Sequence, residues 1–146
     1  MGRRLLILLA LATLMLAALP ATAPAGASWS VRNNGGTVVG KCYLADGFLS
    51  VYRGSKYLGY VENDWPEGWW AYHASGKLAC QILKVKGQAC WLTYREDQGG
   101  TKGKAVRKGK KWVLRDKTSS GHFVTRGRVS HACPGQLAAT ALWLLW

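Results

Sequence analysis

Tryptophans recur in this chain at a spacing of 21 to 22 residues. Trp69, Trp91 and Trp112 each begin a segment that continues through a glycine-bearing turn into a second run. Tyr72 and Tyr94 follow the first two tryptophans by three positions. A period near 20 residues is typical of a small supersecondary unit that buries its apolar face only by stacking on its neighbours. Such repeats usually form binding surfaces or scaffolds rather than enclosed active sites.

The stretches between turn signals predict β-strands. Residues 48–53 and 57–61 are rich in aromatic and β-branched residues, and Gly54 and Ser55 between them have hairpin chemistry. Turn signals recur about every 8–12 residues, and before residue 136 no stretch of the mature chain keeps a helical period of 3.6. We therefore expect an all-β fold, an antiparallel meander of β-hairpin repeats in a single domain.

The N-terminus has the pattern of a secretory signal peptide. Arg3 and Arg4 precede an apolar run of 15 residues, 5–19, which is short for a membrane span, and small residues follow it. We expect cleavage after Ala27 and a secreted or periplasmic protein; an uncleaved N-terminal anchor is the alternative. The expected organisation is a signal peptide (1–27), a β-hairpin repeat domain (28–136) and an apolar C-terminal tail (137–146).

Four cysteines lie in the mature part, namely Cys42, Cys80, Cys90 and Cys133. In an oxidising compartment an even number of cysteines predicts disulfides, here two, which would staple the domain. Three pairings are possible, and we favour Cys80–Cys90 with Cys42–Cys133. A zinc site is the alternative, but its usual Cys-x2-Cys spacing is missing. We expect neither a metal nor a cofactor.

The chain is strongly basic, with 20 Lys and Arg against 7 Asp and Glu. Such a balance attracts anionic partners: acidic polysaccharides, lipid headgroups of a membrane surface, or nucleic acid. The alternative is that the charge only maintains solubility. Within residues 102–117 the sole acid is Asp116, and Trp112 belongs either to a stacking surface or to the core. The candidate anion-binding residues are Lys102, Lys104, Arg107, Lys108, Lys110, Lys111, Arg115 and Lys117.

Two apolar features provide a second candidate surface. Trp65, Trp69 and Trp70 cluster in sequence, and their exposed members are candidates for an aromatic binding surface. Residues 137–146, LAATALWLLW, are too short to span a bilayer as a helix. This tail either packs as core, as a helix or a strand, or docks on a membrane or a protein partner.

Catalytic patterns are weak in this sequence. His73, His122 and His131 stand at no triad or metal-ligand spacing from one another. Acids that could serve a small envelope hydrolase form two loop clusters. They are Glu62, Asp64 and Glu67, and then Glu96 and Asp97. We expect a protein that is not an enzyme, with the hydrolase as an alternative.

One family resemblance rests on residues 68–78, which read GWWAYHASGKL. This pattern resembles the MORN-type repeats of YwqK-like bacterial antitoxin-related proteins, over about residues 48–128. The copy that begins at Trp112 departs from the family because it lacks the tyrosine, and the four cysteines are additional. The resemblance implies an open, twisted run of β-hairpins used for binding or scaffolding, with no catalytic residues to transfer. Residues 68–70 also resemble bacterial SH3-like wall-binding domains, more weakly.

These observations predict an exported, non-catalytic binding or scaffold protein of the cell envelope or extracellular space. It would engage an anionic polymer or surface through the basic hairpin at residues 102–117. The alternative is a module that docks on a protein partner or a membrane through the apolar tail and the tryptophan cluster.

Overall fold

The protein folds as a closed antiparallel β-barrel with a helix inside it. The computed structural model describes residues 26–64 and 68–146. Each strand pairs with its neighbours in sequence, and the first strand pairs with the last. The expected all-β meander is therefore confirmed. The elements are β1 (Ala27–Asn33), β2 (Val38–Ala45), β3 (Phe48–Arg53), β4 (Lys56–Asp64), β5 (Gly68–His73), β6 (Leu78–Lys84), β7 (Cys90–Arg95), a 3₁₀ turn (Glu96–Gln98), β8 (Gly100–Lys108), β9 (Lys111–Lys117), β10 (Phe123–Ser130) and α1 (Gly135–Leu145).

Closure of the sheet corrects the open run of hairpins that the family resemblance implies. β1 and β10 meet antiparallel through Arg32 opposite Arg128 and Asn33 opposite Gly127. The remaining pairs are hairpins whose register local turns determine. In contrast, the β1–β10 contact joins the two ends of the sheet, so local sequence does not specify it. The expected signal peptide lies outside the described residues except for Gly26 and Ala27.

Alternation along the strands divides the residues between lumen and exterior. Val31, Val51 and Leu114 face inward and are fully buried. Trp69, Trp91 and Trp112 lie on alternate strands, and their spacing of 21 to 22 residues equals one strand-turn-strand-turn unit. Because strand side chains alternate, the residue three positions after an inward tryptophan faces outward.

Helix α1 fills the barrel. It contacts β2 through β9, and most of its residues are buried. Wall glycines give it room: a Cβ at Gly103 would lie 2.7 Å from Leu142, and one at Gly40 would lie 2.6 Å from Leu145. The C-terminal tail is therefore a helix that packs as core. Within the described residues, no helix is both long and apolar enough to cross a membrane.

Both ends of α1 are fixed to the wall. At its N-terminus, the Trp112 indole Nε1 donates a hydrogen bond of 2.8 Å to the Cys133 carbonyl. At its C-terminus, Arg53 Nη2 donates one of 2.6 Å to the Leu145 carbonyl. A cation at this end also interacts favourably with the helix dipole. Gly135 packs against Trp91 and Trp112, so these two tryptophans enclose the first turn of the helix.

Gly135→Ala should destabilise the protein although alanine favours helices. In a helix interior, alanine is better than glycine by about 1 kcal/mol. Here its Cβ would lie 2.2 Å from Trp91 Nε1 and 2.8 Å from Trp112 Cζ2. We expect a loss of about 1–3 kcal/mol from overpacking, measured as the free energy of unfolding in urea.

The neighbouring substitution Gln136→Ala is the control, because Gln136 is only half-buried. We expect it to change the free energy of unfolding by less than about 0.5 kcal/mol. A Gly135→Ala variant more stable than wild type would contradict the placement of α1 between the two tryptophans.

Candidate functional site

Charge is unequally divided between the two sides of the barrel. Strands β8, β9, β10 and β1 (residues 100–130 and 26–33) hold eleven Lys and Arg but one acid, Asp116. Residues 38–99, which contain β2 to β7, hold seven Lys and Arg and six acids, and also all six tyrosines. We call the outer surface of β8, β9, β10 and β1 the basic face and that of β2 to β7 the tyrosine face.

Cations stand directly opposite one another on the basic face. The register pairs Lys104 with Arg115 and Lys108 with Lys111 across β8 and β9. Arg32 pairs with Arg128 where the barrel closes. Like charges directly opposite in a sheet are destabilising. An anion bound over these pairs would relieve the repulsion.

Asp116, the lone acid of these strands, stands opposite Gly103 on the inner side of the wall, where it lines a groove with Leu142. Asp116 lies 3.4 Å from the Arg126 guanidinium, with which it forms an ion pair. Both side chains are substantially exposed, so the pair contributes little stability and is weakened by salt. Asp116 neutralises one cation at most, which leaves the face strongly positive.

Lys104 and Arg115 form the centre of the basic face. The Lys104 ammonium lies 4.2 Å from the centroid of the Phe123 ring, a cation–π contact. Arg115 Nη2 donates a hydrogen bond of 3.1 Å to the Phe123 carbonyl. Arg115 Nε is buried and has no hydrogen-bond partner among the described residues. A buried donor left unpaired is costly.

The eight predicted anion-binding residues extend over the whole β8–β9 hairpin. Lys102 and Lys117 line a groove of about 500 Å³ beside the β9–β10 turn. Lys104 and Arg115 lie in the middle of the hairpin. At its opposite end, four more cations lie in or next to the β8–β9 turn, namely Arg107, Lys108, Lys110 and Lys111. Arg32, Arg126 and Arg128 lie outside the basic run at residues 102–117, on β1 and β10, and were not predicted from the sequence. Arginines at alternate positions of one predicted strand would have indicated that their side chains share the outer face.

The tryptophans do not form one surface. Trp112, inside the basic run, is buried and hydrogen-bonded in the core, so it is not a stacking ring on the basic face. Trp69 packs against the core, whereas its neighbour Trp70 lies on the outer side. Of the expected cluster, Trp65 lies outside the described residues. Adjacent strand residues face opposite ways, which separates Trp69 from Trp70.

The tyrosine face carries contacting aromatic rings. Tyr60 stacks on Tyr72 with centroids 5.1 Å apart, and Tyr43 meets Tyr52 edge-on at 5.1 Å. Beside them, Trp70 lines a groove of about 440 Å³. These rings lie on several neighbouring strands, so the tyrosine face is aromatic where the basic face is cationic.

One acidic cluster that suggested a hydrolase is held in an ion pair at this groove. Arg95 Nε donates a hydrogen bond of 2.7 Å to Asp97 Oδ1, and Arg95 Nη1 donates one of 2.9 Å to the Ala79 carbonyl. The hydrogen bond from Arg95 lowers the pKa of the Asp97 carboxyl. Asp97 is thereby held as an ionised partner of Arg95.

The four cysteines are buried free thiols, and no two of them lie at disulfide distance. The favoured pairing Cys80–Cys90 is wrong for this fold. Cys80 shares the inner face with Ile82, whereas Cys90 lies on the outer face beside the β6–β7 turn. Cys42 and Cys133 are neighbours: a hydrogen bond between their thiols and then burial raise the pKa of Cys133.

No protein-family model matches this chain, and no curated protein or solved structure matches it either. The likeness to MORN-type repeats stays a prediction. Among the described residues, no group of three or more His, Cys, Asp and Glu is placed to hold a metal ion.

The Cys80 thiol should make stability depend on pH. Burial raises its pKa from 9.0 to about 12 in the folded chain. Because the folded pKa is the higher one, its contribution is fully present below about pH 9 and is lost as pH rises towards about 12. We expect wild type to lose more stability in this window than Cys80→Ala, measured by urea unfolding with a reductant.

All other titratable groups are common to both proteins. The difference between the two pH profiles therefore isolates the thiol. Parallel profiles would contradict the raised pKa of Cys80.

Proposed function

We propose that this protein is a non-catalytic binding protein that holds an anionic polymer on its basic face. The observation that carries the proposal is the set of cation pairs that face each other there, Lys104 with Arg115, Lys108 with Lys111 and Arg32 with Arg128. An anion that neutralises these cations removes the repulsion between them and so stabilises the folded protein.

The chemistry of the basic face favours an acidic polysaccharide over single-stranded nucleic acid. Bases bind such proteins largely by stacking on aromatic side chains. On this face Trp112 points into the lumen, and Phe123 is in contact with the Lys104 ammonium. A sulfated or carboxylated polysaccharide needs charge and hydrogen-bond donors, which this face supplies. Export by the signal expected at residues 1–27 would bring the protein to such polymers in the envelope or outside the cell.

Docking through the C-terminal tail is the weaker candidate. Leu137, Leu142 and Leu145 of α1 are buried in the lumen. The helix would have to leave the barrel before it could bind a membrane or a protein partner. An anionic membrane surface remains an alternative ligand for the basic face itself, and the experiment below separates it from a soluble polymer.

The first test compares retention on immobilised heparin across a salt gradient. Lys104→Glu/Lys117→Glu reverses two cations of the basic face. Lys56→Glu/Lys77→Glu makes the same change in net charge on the other side of the barrel. We expect the basic-face variant to elute at clearly lower salt, because each lost contact reduces the salt dependence of log K by about 1.

Equal elution of the two variants would mean that net charge, not the basic face, causes retention, and would overturn the proposal. Circular dichroism and the unfolding midpoint confirm that both variants are folded. Retention of wild type on anionic vesicles but not on heparin would favour the membrane surface.

We also propose that Cys42 and Cys133 form a disulfide when the exported chain meets an oxidant. Their thiols are in contact, and the bond would join β2 to the residues just before α1. Two exchange steps with a small-molecule disulfide release two small-molecule thiols and form one protein disulfide. The cross-link would hold the helix in the barrel.

Mass spectrometry of protein refolded with oxidised glutathione tests this bond. We expect a linked peptide pair that contains Cys42 and Cys133, with Cys80 and Cys90 remaining as thiols. Cys42→Ser/Cys133→Ser should lose the linked pair and unfold at lower urea than the oxidised wild type. Folded, oxidised protein that contains no Cys42–Cys133 link would refute the proposed pairing.

A further inference from the structure

The barrel is closed along one seam by a short ladder. Among the described residues, the β1–β10 ladder consists of Arg32 opposite Arg128 and Asn33 opposite Gly127. β10 ends at Ser130, and the chain then turns into the lumen, with the Cys133 amide donating to the Ser130 carbonyl at 3.0 Å. Residues 27–31 of β1 therefore have a strand partner on the β2 side but none on the β10 side.

This open edge lies in a groove of about 530 Å³ with a uniform charge. Four of its lining residues are the cations Arg32, Lys110, Lys111 and Arg128, and none is acidic. Ser28 and Ser30 on β1 and Ser130 on β10 add hydroxyl groups to its walls. The groove thus combines an unpaired strand edge with a positive border.

We infer that the seam binds an extended acidic polypeptide segment, which adds as a strand to residues 28–31 of β1, the part of this edge that remains after the expected cleavage. An open strand edge presents backbone N–H and C=O groups in one row, the pattern that an extended peptide complements. The inference shares Arg32, Arg128 and Lys111 with the proposed polymer-binding face, but it rests on the open backbone edge of β1, which polymer binding does not use.

The positive charge around the groove determines which kind of extended segment can pair with the open edge of β1. Lysines beside an open edge oppose pairing with a segment as basic as this one, which disfavours a second copy of β1 or β10. The same Lys110 and Lys111 attract acidic side chains of an incoming strand. In an extended segment every second side chain points the same way, so acids at alternate positions would all meet the positive border.

The seam also distinguishes a peptide from a polysaccharide. A sulfated sugar chain would use the cations but has no backbone amides to complete a β-ladder. A peptide uses both, so blocking its amides without altering its charge separates the two modes of binding. Binding should also protect from hydrogen exchange those amides of residues 28–31 that point away from β2.

The test measures fluorescence anisotropy with a labelled, end-capped peptide of about eight residues that alternates glutamate and valine. Its matched control has the same sequence with N-methyl groups on alternate amides. We expect the control peptide to bind at least about tenfold more weakly, because it cannot form the ladder. Hydrogen exchange of wild type with and without the unmodified peptide supplies the second readout.

On the protein side, Lys110→Glu/Lys111→Glu should weaken peptide binding at least about tenfold, and Lys56→Glu/Lys77→Glu should leave it nearly unchanged. Equal binding of the two peptides, or no added protection of the amides of residues 28–31 that point away from β2, would overturn the inference. Retention on heparin without peptide binding would overturn this inference and support the polymer proposal. Peptide binding without retention on heparin would support this inference and overturn the polymer proposal.

Discussion

The rest of the structure depends on how the lumen of the barrel is filled. Eight strands enclose a space that wall side chains fill by themselves, and ten strands enclose more. Here α1 supplies the missing apolar volume with Leu137, Leu142 and Leu145. The wall is correspondingly thin where the helix approaches, at positions such as Gly40 and Gly103. Barrel and helix are therefore one packing unit, since neither buries its apolar surface without the other.

An internal core leaves the exterior free to specialise. The strands that face α1 on their inner side carry tyrosines on one half of the outer surface and cations on the other. Repulsion between residues such as Lys104 and Arg115 lowers stability. That cost is small beside the burial of a whole helix, because each fully buried leucine contributes about 1.5–3 kcal/mol. Binding chemistry on the surface can thus vary without endangering the fold.

The sequence was informative about local structure and poor on long-range contacts. Aromatic and β-branched runs, with turns such as Gly54–Ser55, predict the strands because those signals are local. Barrel closure depends on Arg32 meeting Arg128, 96 positions away, which no local signal specifies. The tail was ambiguous because an apolar run of ten residues fits a helix or a strand. Cys80 and Cys90 were paired by proximity in sequence, and counting strand alternation from the turn would have separated their faces.

The order of the elements affects how this protein is made. α1 follows all ten strands in the chain, so a ribosome or a translocation pore releases it after them. Until it arrives, the hairpins have no filled core, and their apolar inner faces stay available to chaperones. Folding is then completed by a segment that emerges after these strands rather than growing from the first. Stable tertiary structure is therefore delayed until α1 has followed the strands.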